Sequence, residues 1–267
     1  MLSQHLNRLI AGDSLTEEQM VSAIGCIMDG EATPAQIAAL LVALRIKGES
    51  IAEISGAARA MRQRMTRIDV TRRPLIDTCG TGGDGSGTFN ISTAVAFVVA
   101  AGGVAVAKHG NRAVSSRSGS ADVLREVGVN IEAAKEVVER CIEEVGIGFL
   151  FAPACHPAMK HAGSVRRELG VRTIFNLLGP LTNPAGAERQ LMGVFDRALT
   201  VPIAAVLGRL GCKRAWVVHG GDGLDELTVC DESFIAAWNG NEVVEIALTP
   251  EQVGLERSFP EGLRGGT

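Results

Sequence analysis

The chain has no surplus of positive charge: 26 lysines and arginines stand against 30 aspartates and glutamates, a formal net charge of −4. Proteins that hold nucleic acid or an anionic membrane surface through charge carry a basic field, and none is advertised here. Any affinity for phosphate must therefore be local. The six cysteines, Cys26, Cys79, Cys141, Cys155, Cys212 and Cys230, form no CxxC pair and no metal-binding spacing. That scatter fits reduced thiols in a cytosolic protein. No uninterrupted apolar run reaches membrane-spanning length, and the longest, 94–107, is short and broken by glycine. The opening residues MLSQHLNRLIAGD carry polar side chains throughout, without the apolar stretch of a signal peptide. Internal repeats and low-complexity segments are absent too. The expectation is a soluble, cytoplasmic chain with no membrane or nucleic-acid partner.

What the chain does have is glycine, 32 residues in 267, in a composition 46% hydrophobic and 21% charged. That balance suits an α/β enzyme of one large or two smaller domains. The first 65 residues read as helices. Three of them open with capping-box spacing, Thr16 with Gln19, Thr33 with Gln36 and Ser50 with Glu53, and Pro34 sits at a first helical position. Leu40, Leu41, Leu44 and Ile46 show the period of a helix with a broad apolar face. From about residue 74 short β-branched runs, 74–79, 104–107, 147–151, 189–195 and 214–219, alternate with helical stretches. Alternation of this kind implies a mostly parallel central sheet covered by helices. The fold class is α/β, with residues 1–70 as a small helical domain suited to dimerisation. Residues 71–267 form a larger α/β domain, and part of 157–180 is expected to pack back on the helical one. Residues 94–103 read as a buried helix, 157–178 as helical, and the end FPEGLRGGT as loop chemistry without a closing strand or helix.

Two loops carry chemistry. Residues 80–93, GTGGDGSGTFNIST, lie between a short buried strand and an apolar helix. Gly80, Gly82 and Gly83 lack a Cβ and admit an anion close to the backbone. Thr88, Asn90, Ser92 and Thr93 add donors at the start of the next helix, where free N–H groups and the helix dipole favour phosphate. The loop is no Walker A sequence, since no GK[ST] follows; a plain glycine turn capped by Ser92 is the bland alternative. The second loop, 108–120, KHGNRAVSSRSGS, adds Lys108, Arg112 and Arg117 among Ser115, Ser116, Ser118 and Ser120. Charge-assisted bonds from such a set suit a diphosphate, with Ser120 expected to cap the helix that follows. His109 and Asn111 are placed to reach a second substrate. Both loops fall at strand carboxyl ends, where α/β sheets bind ligands.

Asp225 and Glu226 follow the strand RAWVV in the loop HGGDGLDEL. Adjacent carboxylates suit Mg²⁺ when substrate phosphates complete the octahedron; an acidic turn is the alternative. Arg166 and Arg167 share a helix, and a guanidinium there recognises a carboxylate only if buried in a pocket. Spacing does not choose between the two.

Taken together, GTGGDG at 80–85, NIST at 90–93, KHGNRAVSS at 108–116, RTIFNLLGPLTNPA at 172–185 and DE at 225–226 resemble one family, anthranilate phosphoribosyltransferase of tryptophan biosynthesis. The resemblance spans essentially the whole chain. It implies a helical domain hinged to an α/β domain, a homodimer formed through the helical parts, and transfer of phosphoribosyl from phosphoribosyl pyrophosphate to anthranilate. By that resemblance Gly80, Gly83, Asp84, Thr88, Asn90, Ile91, Ser92 and Thr93 line the phosphoribosyl pyrophosphate site. Lys108, His109, Gly110, Asn111, Arg112, Ala113, Val114, Ser115, Ser116 and Ser120 complete it. Ser92, Asp225 and Glu226 match the family's Mg²⁺ ligands, and Gly80, Asn111 and Arg166 its anthranilate contacts. His109 is the candidate to receive the amine's proton. Family members run several tens of residues past the last residue here, so the expectation is an α/β domain incomplete at its C-terminus. Two alternatives stand beside this reading: a pyrimidine nucleoside phosphorylase-like enzyme, which needs no acidic pair, and a non-catalytic nucleic-acid-binding relative, which needs a basic face.

Overall fold

The computed structural model describes residues 2–113 and 118–266. Its contacts group into two compact units, Met1–Arg67 with Pro153–Pro184, and Ile68–Ala152 with Ala185–Thr267. The first unit holds α1 (Leu2–Ile10), α2 (Glu17–Met28), α3 (Pro34–Lys47) and α4 (Ile51–Arg62). After the one-turn α8 (Ala152–Cys155) it adds α9 (Lys160–Leu169) and α10 (Phe175–Leu178). All three capping boxes form: Thr16, Thr33 and Ser50 each accept from the backbone of the residue three positions on, whose side chain returns the bond.

Glu53 does more than cap. Fully buried, it accepts from Ser50 N at 2.7 Å, Leu15 N at 2.9 Å and Lys47 Nζ at 2.8 Å. A buried carboxylate is tolerated only when paired and bonded in this way. It ties the start of α4 to the end of α3 and to the chain entering α2. Met20, Ile24, Leu40, Leu41, Leu44 and Ile54 fill the core between these helices. Ile46, read with that face, lies instead on the surface at 81% exposure. Its position two residues past Leu44 turns it about 200° around α3. The segment 157–178 is not continuous either. A 3₁₀ turn (Pro157–Met159) precedes α9, and Gly170 at φ +61° ends α9 before α10 begins. Within this unit α9 packs on α2 and α3, and α10 on α4.

The second unit is built on a seven-stranded sheet. Its elements are β1 (Leu75–Gly80), α5 (Ile91–Ala101), β2 (Ala105–Gly110), α6 (Ser120–Glu126), α7 (Lys135–Arg140) and β3 (Ile147–Phe151), then β4 (Arg189–Gly193), α11 (Thr200–Arg209), β5 (Arg214–Gly220), β6 (Ser233–Trp238) and β7 (Val243–Leu248). The order is β3-β2-β1-β4-β5-β6-β7, parallel through β5 and antiparallel for β6 and β7. The five parallel strands are those expected from the β-branched runs. The antiparallel pair is an addition: β6 (SFIAAW) is mostly buried, whereas β7 (VVEIAL) is apolar in sequence yet mostly exposed. Order reverses at β1, which lies between β2 and β4, the topological switch where such sheets take ligands. Four of the five parallel strands end on glycine: Gly80, Gly110, Gly193 and Gly220.

Helix α5 covers β1 and β2 with one face only. Thr93 and Ala96 are buried, whereas Phe97 and Val98 stand 46% and 73% exposed, so the helix is apolar but not buried all round. The end of the chain is likewise less loose than its composition implies. Phe89 N donates to Leu263 O and Gly265 N to Gly87 O, both at 2.9 Å, and Thr88 bridges Arg264. A short strip of ladder thus braces the first glycine loop.

Candidate active site

The first loop leaves β1 at Gly80 and enters α5 at Ile91. Gly82, Gly83, Gly85 and Gly87 adopt φ of +66°, +80°, +74° and +65°, conformations that a Cβ resists. Ser86 and Thr88 bring their hydroxyls within 3.4 Å of each other, and Asp84 Oδ1 accepts from Ser86 N. Asn90 is the N-cap of α5 but makes no side-chain cap bond, so the first-turn N–H groups there are not satisfied by the cap. Ser92 is in the first turn rather than at the cap.

Hydroxyl and amide contacts stitch the two loops together. Thr93 Oγ1 lies 3.1 Å from Asn90 Oδ1 and 3.0 Å from Ser120 Oγ, which donates to Asn90 Oδ1 at 3.2 Å. Asn90 Nδ2 donates to Ser118 O at 3.0 Å. Ser120 is therefore a cross-loop contact in the first turn of α6, not its cap. Gly119 holds the cap position, and its N–H and that of Ala113 donate to Asp122 Oδ2, each at 2.9 Å. Lys108, 3% exposed, reaches across from β2 to Thr78 O at 2.5 Å and Ser92 Oγ at 3.1 Å. Burial pulls its pKa down, while the charges of Asp77 and Glu226 hold it up.

The acidic pair reaches the first loop from the segment that follows β5. Asp225 Oδ2 accepts from Gly82 N at 2.8 Å, and Asp225 N faces Asp84 Oδ2 at 3.5 Å. Burial, then the neighbouring charge of Asp84, pushes the Asp225 carboxyl up to about 7. Glu226 is pushed up to about 8 by burial and by Asp225, with Lys108 and the Ser92 N–H opposing. Three carboxylates with one buried ammonium are short of positive charge. The donors are all oxygen, which suits Mg²⁺ rather than a softer metal. Among the described residues no three His, Cys, Asp or Glu side chains make a ready cage. That also suits Mg²⁺, which takes one or two carboxylates and completes its octahedron from substrate and water.

Glycine makes this approach possible. A Cβ on Gly80 would sit 2.9 Å from Asp225 Oδ2, and one on Gly193 only 1.5 Å from Asp225 O. Gly193 was not singled out in the sequence; its signal is a glycine closing the strand RQLMG. Asp77 is the other residue missed. It is a charged group inside a buried strand, fully buried, and its Oδ1 accepts from His109 N at 3.1 Å. His109 is buried at the end of β2, and Gly110 packs against Phe149 and Ser120. Asn111 Oδ1 accepts from Arg112 N at 2.8 Å.

Arg112 turns to Glu132 at 3.0 Å and stacks 5.5 Å over Phe151, since an exposed guanidinium takes the anion and ring within reach. Val114, Ser115, Ser116 and Arg117 lie outside the described residues. In the helical unit Arg166 is half-buried with its guanidinium 5.3 Å over the Phe175 ring, and burial lowers its pKa; Arg167 is exposed.

Comparison with known proteins bears on this geometry. The family described as "Glycosyl transferase family, a/b domain" matches residues 72–267, and "Glycosyl transferase family, helical bundle domain" matches 3–65. An anthranilate phosphoribosyltransferase of Symbiobacterium thermophilum is 58% identical over 98% of this chain and 77% of its own length. The chain belongs to the anthranilate phosphoribosyltransferase family. The crystal structure of a family member from Thermus thermophilus is 53% identical, with a TM-score of 0.92 over 98% of this chain and 78% of that one. The Saccharomyces cerevisiae enzyme in complex with PRPP and Mg is 26% identical, with a TM-score of 0.90 over 99% and 77%. An anthranilate phosphoribosyltransferase is a pentosyltransferase. The family's reaction passes a phosphoribosyl group from phosphoribosyl pyrophosphate to the amino group of anthranilate, in tryptophan biosynthesis.

Proposed function

We propose that this chain carries out the family's transfer with Mg²⁺ as cofactor, held by Asp225, Glu226 and Ser92 against the first glycine loop. The observation that carries the reading is the half-buried acidic pair at the carboxyl ends of β1 and β5, whose Asp225 accepts from Gly82 N. Mg²⁺ bound there would offset charge on the leaving diphosphate. The N–H groups of the first loop and of the α5 start take the phosphate oxygens, with Thr88, Asn90, Thr93 and Lys108 beside them. From the second loop, Lys108, His109, Gly110, Asn111 and Ser120 flank the same substrate.

The acceptor amine is already a nucleophile, so no residue needs to form a covalent intermediate. The difficult event is departure of pyrophosphate from C1 of the ribose, which leaves oxocarbenium character on the sugar. Preorganised donors around the leaving group lower that barrier. Arg166 takes the carboxylate of anthranilate through its planar guanidinium and so orients the amine. His109 receives the amine's proton after the new bond forms. The working protein is a cytoplasmic homodimer joined through its helical units, where Ile10 and Ile46 stand 73% and 81% exposed. Titration calorimetry tests the site. Phosphoribosyl pyrophosphate should bind at least about tenfold more tightly with Mg²⁺ than without. Equal affinity in both conditions, or preference for inorganic phosphate and a nucleoside, would overturn the reading.

A further inference from the structure

The ladder between β1 and β2 stops early. β1 pairs with β4 through five positions, Ile76 to Gly80, and β2 with β3 through five, Val106 to Gly110. Between β1 and β2 only Leu75↔Ala105 and Ile76↔Val106 are in register. Neighbouring N–H groups of a strand point to opposite sides, and Val106 N donates to Gly146 O on the β3 side. The His109 N–H therefore faces β1, where a continued ladder would hand it to the carbonyl of Thr78. Both groups are claimed by side chains instead. Asp77 Oδ1 accepts from His109 N at 3.1 Å, and Lys108 Nζ donates to Thr78 O at 2.5 Å.

We propose that Asp77 is a positioning residue of the diphosphate site: with Lys108 it forms a buried, charge-matched pair that replaces part of the β1–β2 ladder and sets Lys108 over Ser92. The two side chains are 0% and 3% exposed, and each satisfies a backbone group of the opposite strand. Burial of either alone would leave an uncompensated charge. The pair sits one to three residues before Gly80 and Gly110, where both phosphate loops begin. The charge of a second carboxylate, Glu226, also acts on Lys108, and the same ammonium bonds Ser92 Oγ. With Asp77 ionised, Lys108 is shared. Without that charge the buried Lys108 ammonium is less compensated, and the more positive potential beside Glu226 and Ser92 disfavours a divalent cation there.

The inference rests on the Mg²⁺ site proposed above. Its test is Asp77→Asn, which keeps an oxygen for His109 N and removes only the charge. The half-saturating Mg²⁺ concentration and the KM for phosphoribosyl pyrophosphate should each rise about tenfold, because a nearby buried charge acts through a low effective dielectric. The KM for anthranilate should stay within about twofold, because the asparagine keeps the oxygen that holds His109 N in place. A merely structural loss would lower kcat by reducing the active fraction and leave all three concentrations unmoved; that pattern overturns the proposal. Wild-type turnover indifferent to Mg²⁺ would sink the site reading instead. If Asp77→Asn fails to fold, the neutral double variant Asp77→Asn/Lys108→Met should fold again by circular dichroism. A double variant as unfolded as the single one overturns the pair.

Discussion

Arg166 and Arg167 show how one helical step separates two identical side chains. Adjacent helical residues point about 100° apart, and here one guanidinium lies over Phe175 while the other faces solvent. Arg166→Ala is expected to raise the KM for anthranilate by an amount worth roughly 1.5–3 kcal/mol, the range of a charge-assisted bidentate contact. The KM for phosphoribosyl pyrophosphate should move much less, and Arg167→Ala should leave both near wild type. Steady-state kinetics of the two variants checks this; the larger anthranilate defect in the Arg167 variant would put the pocket on the wrong helix face. His156 offers a second test at this scale. Burial lowers its pKa to about 4, against about 6.5 in an unfolded chain. Between those values the unfolded state binds the extra proton, so stability falls as pH drops from 6.5 toward 4. The loss amounts to about 3 kcal/mol at most. His156→Gln should flatten that limb of a thermal-midpoint profile, and an unchanged slope would show that other groups set it.

Among elements, the capping boxes were readable from spacing because capping is a local bargain between residues three apart. Glu53 was readable as a cap but not as a hub, since Leu15 lies 38 positions away and Lys47 belongs to another helix. Removing it leaves Lys47 without its anion and two N–H groups without an acceptor. Glu53→Ala should cost about 3–5 kcal/mol in urea unfolding, as expected for a broken buried pair; a loss below about 1 kcal/mol, the level of a surface pair, would contradict the buried-hub reading. The shape of the first glycine loop was legible for a similar reason. Glycine clusters announce positive φ, and Gly83 at +80° bears this out. Gly83→Val should keep the circular dichroism of the wild type while losing phosphoribosyl pyrophosphate binding by calorimetry, with anthranilate binding far less changed. Equal losses for both ligands would mean a collapsed loop. What could not be read were long-range facts: the Asp77 bond to β2, the close pass of Asp225 over Gly193, and a helix α5 whose apolar outer face is exposed. Periodicity reports which residues are apolar and not whether anything covers them.

At the scale of the molecule, the helical unit exposes Ile10 and Ile46, and a homodimer would bury them. Sedimentation should give twice the 28.0 kDa chain mass, and Ile46→Glu should shift the protein toward monomer. A monomeric wild type would end that proposal. The α/β unit carries the larger claim, that an acidic pair, a glycine loop and the start of α5 work together on a diphosphate. Sequence motifs 143 positions apart meet in one hydrogen bond there, Gly82 N to Asp225 Oδ2. The most direct measurement is turnover of anthranilate and phosphoribosyl pyrophosphate followed against Mg²⁺ concentration, in the wild type and in Asp225→Asn/Glu226→Gln. The wild type should show saturable Mg²⁺ activation and the double variant should show none, with both equally folded. Mg²⁺ activation that survives unchanged in the double variant would contradict the assignment of this site.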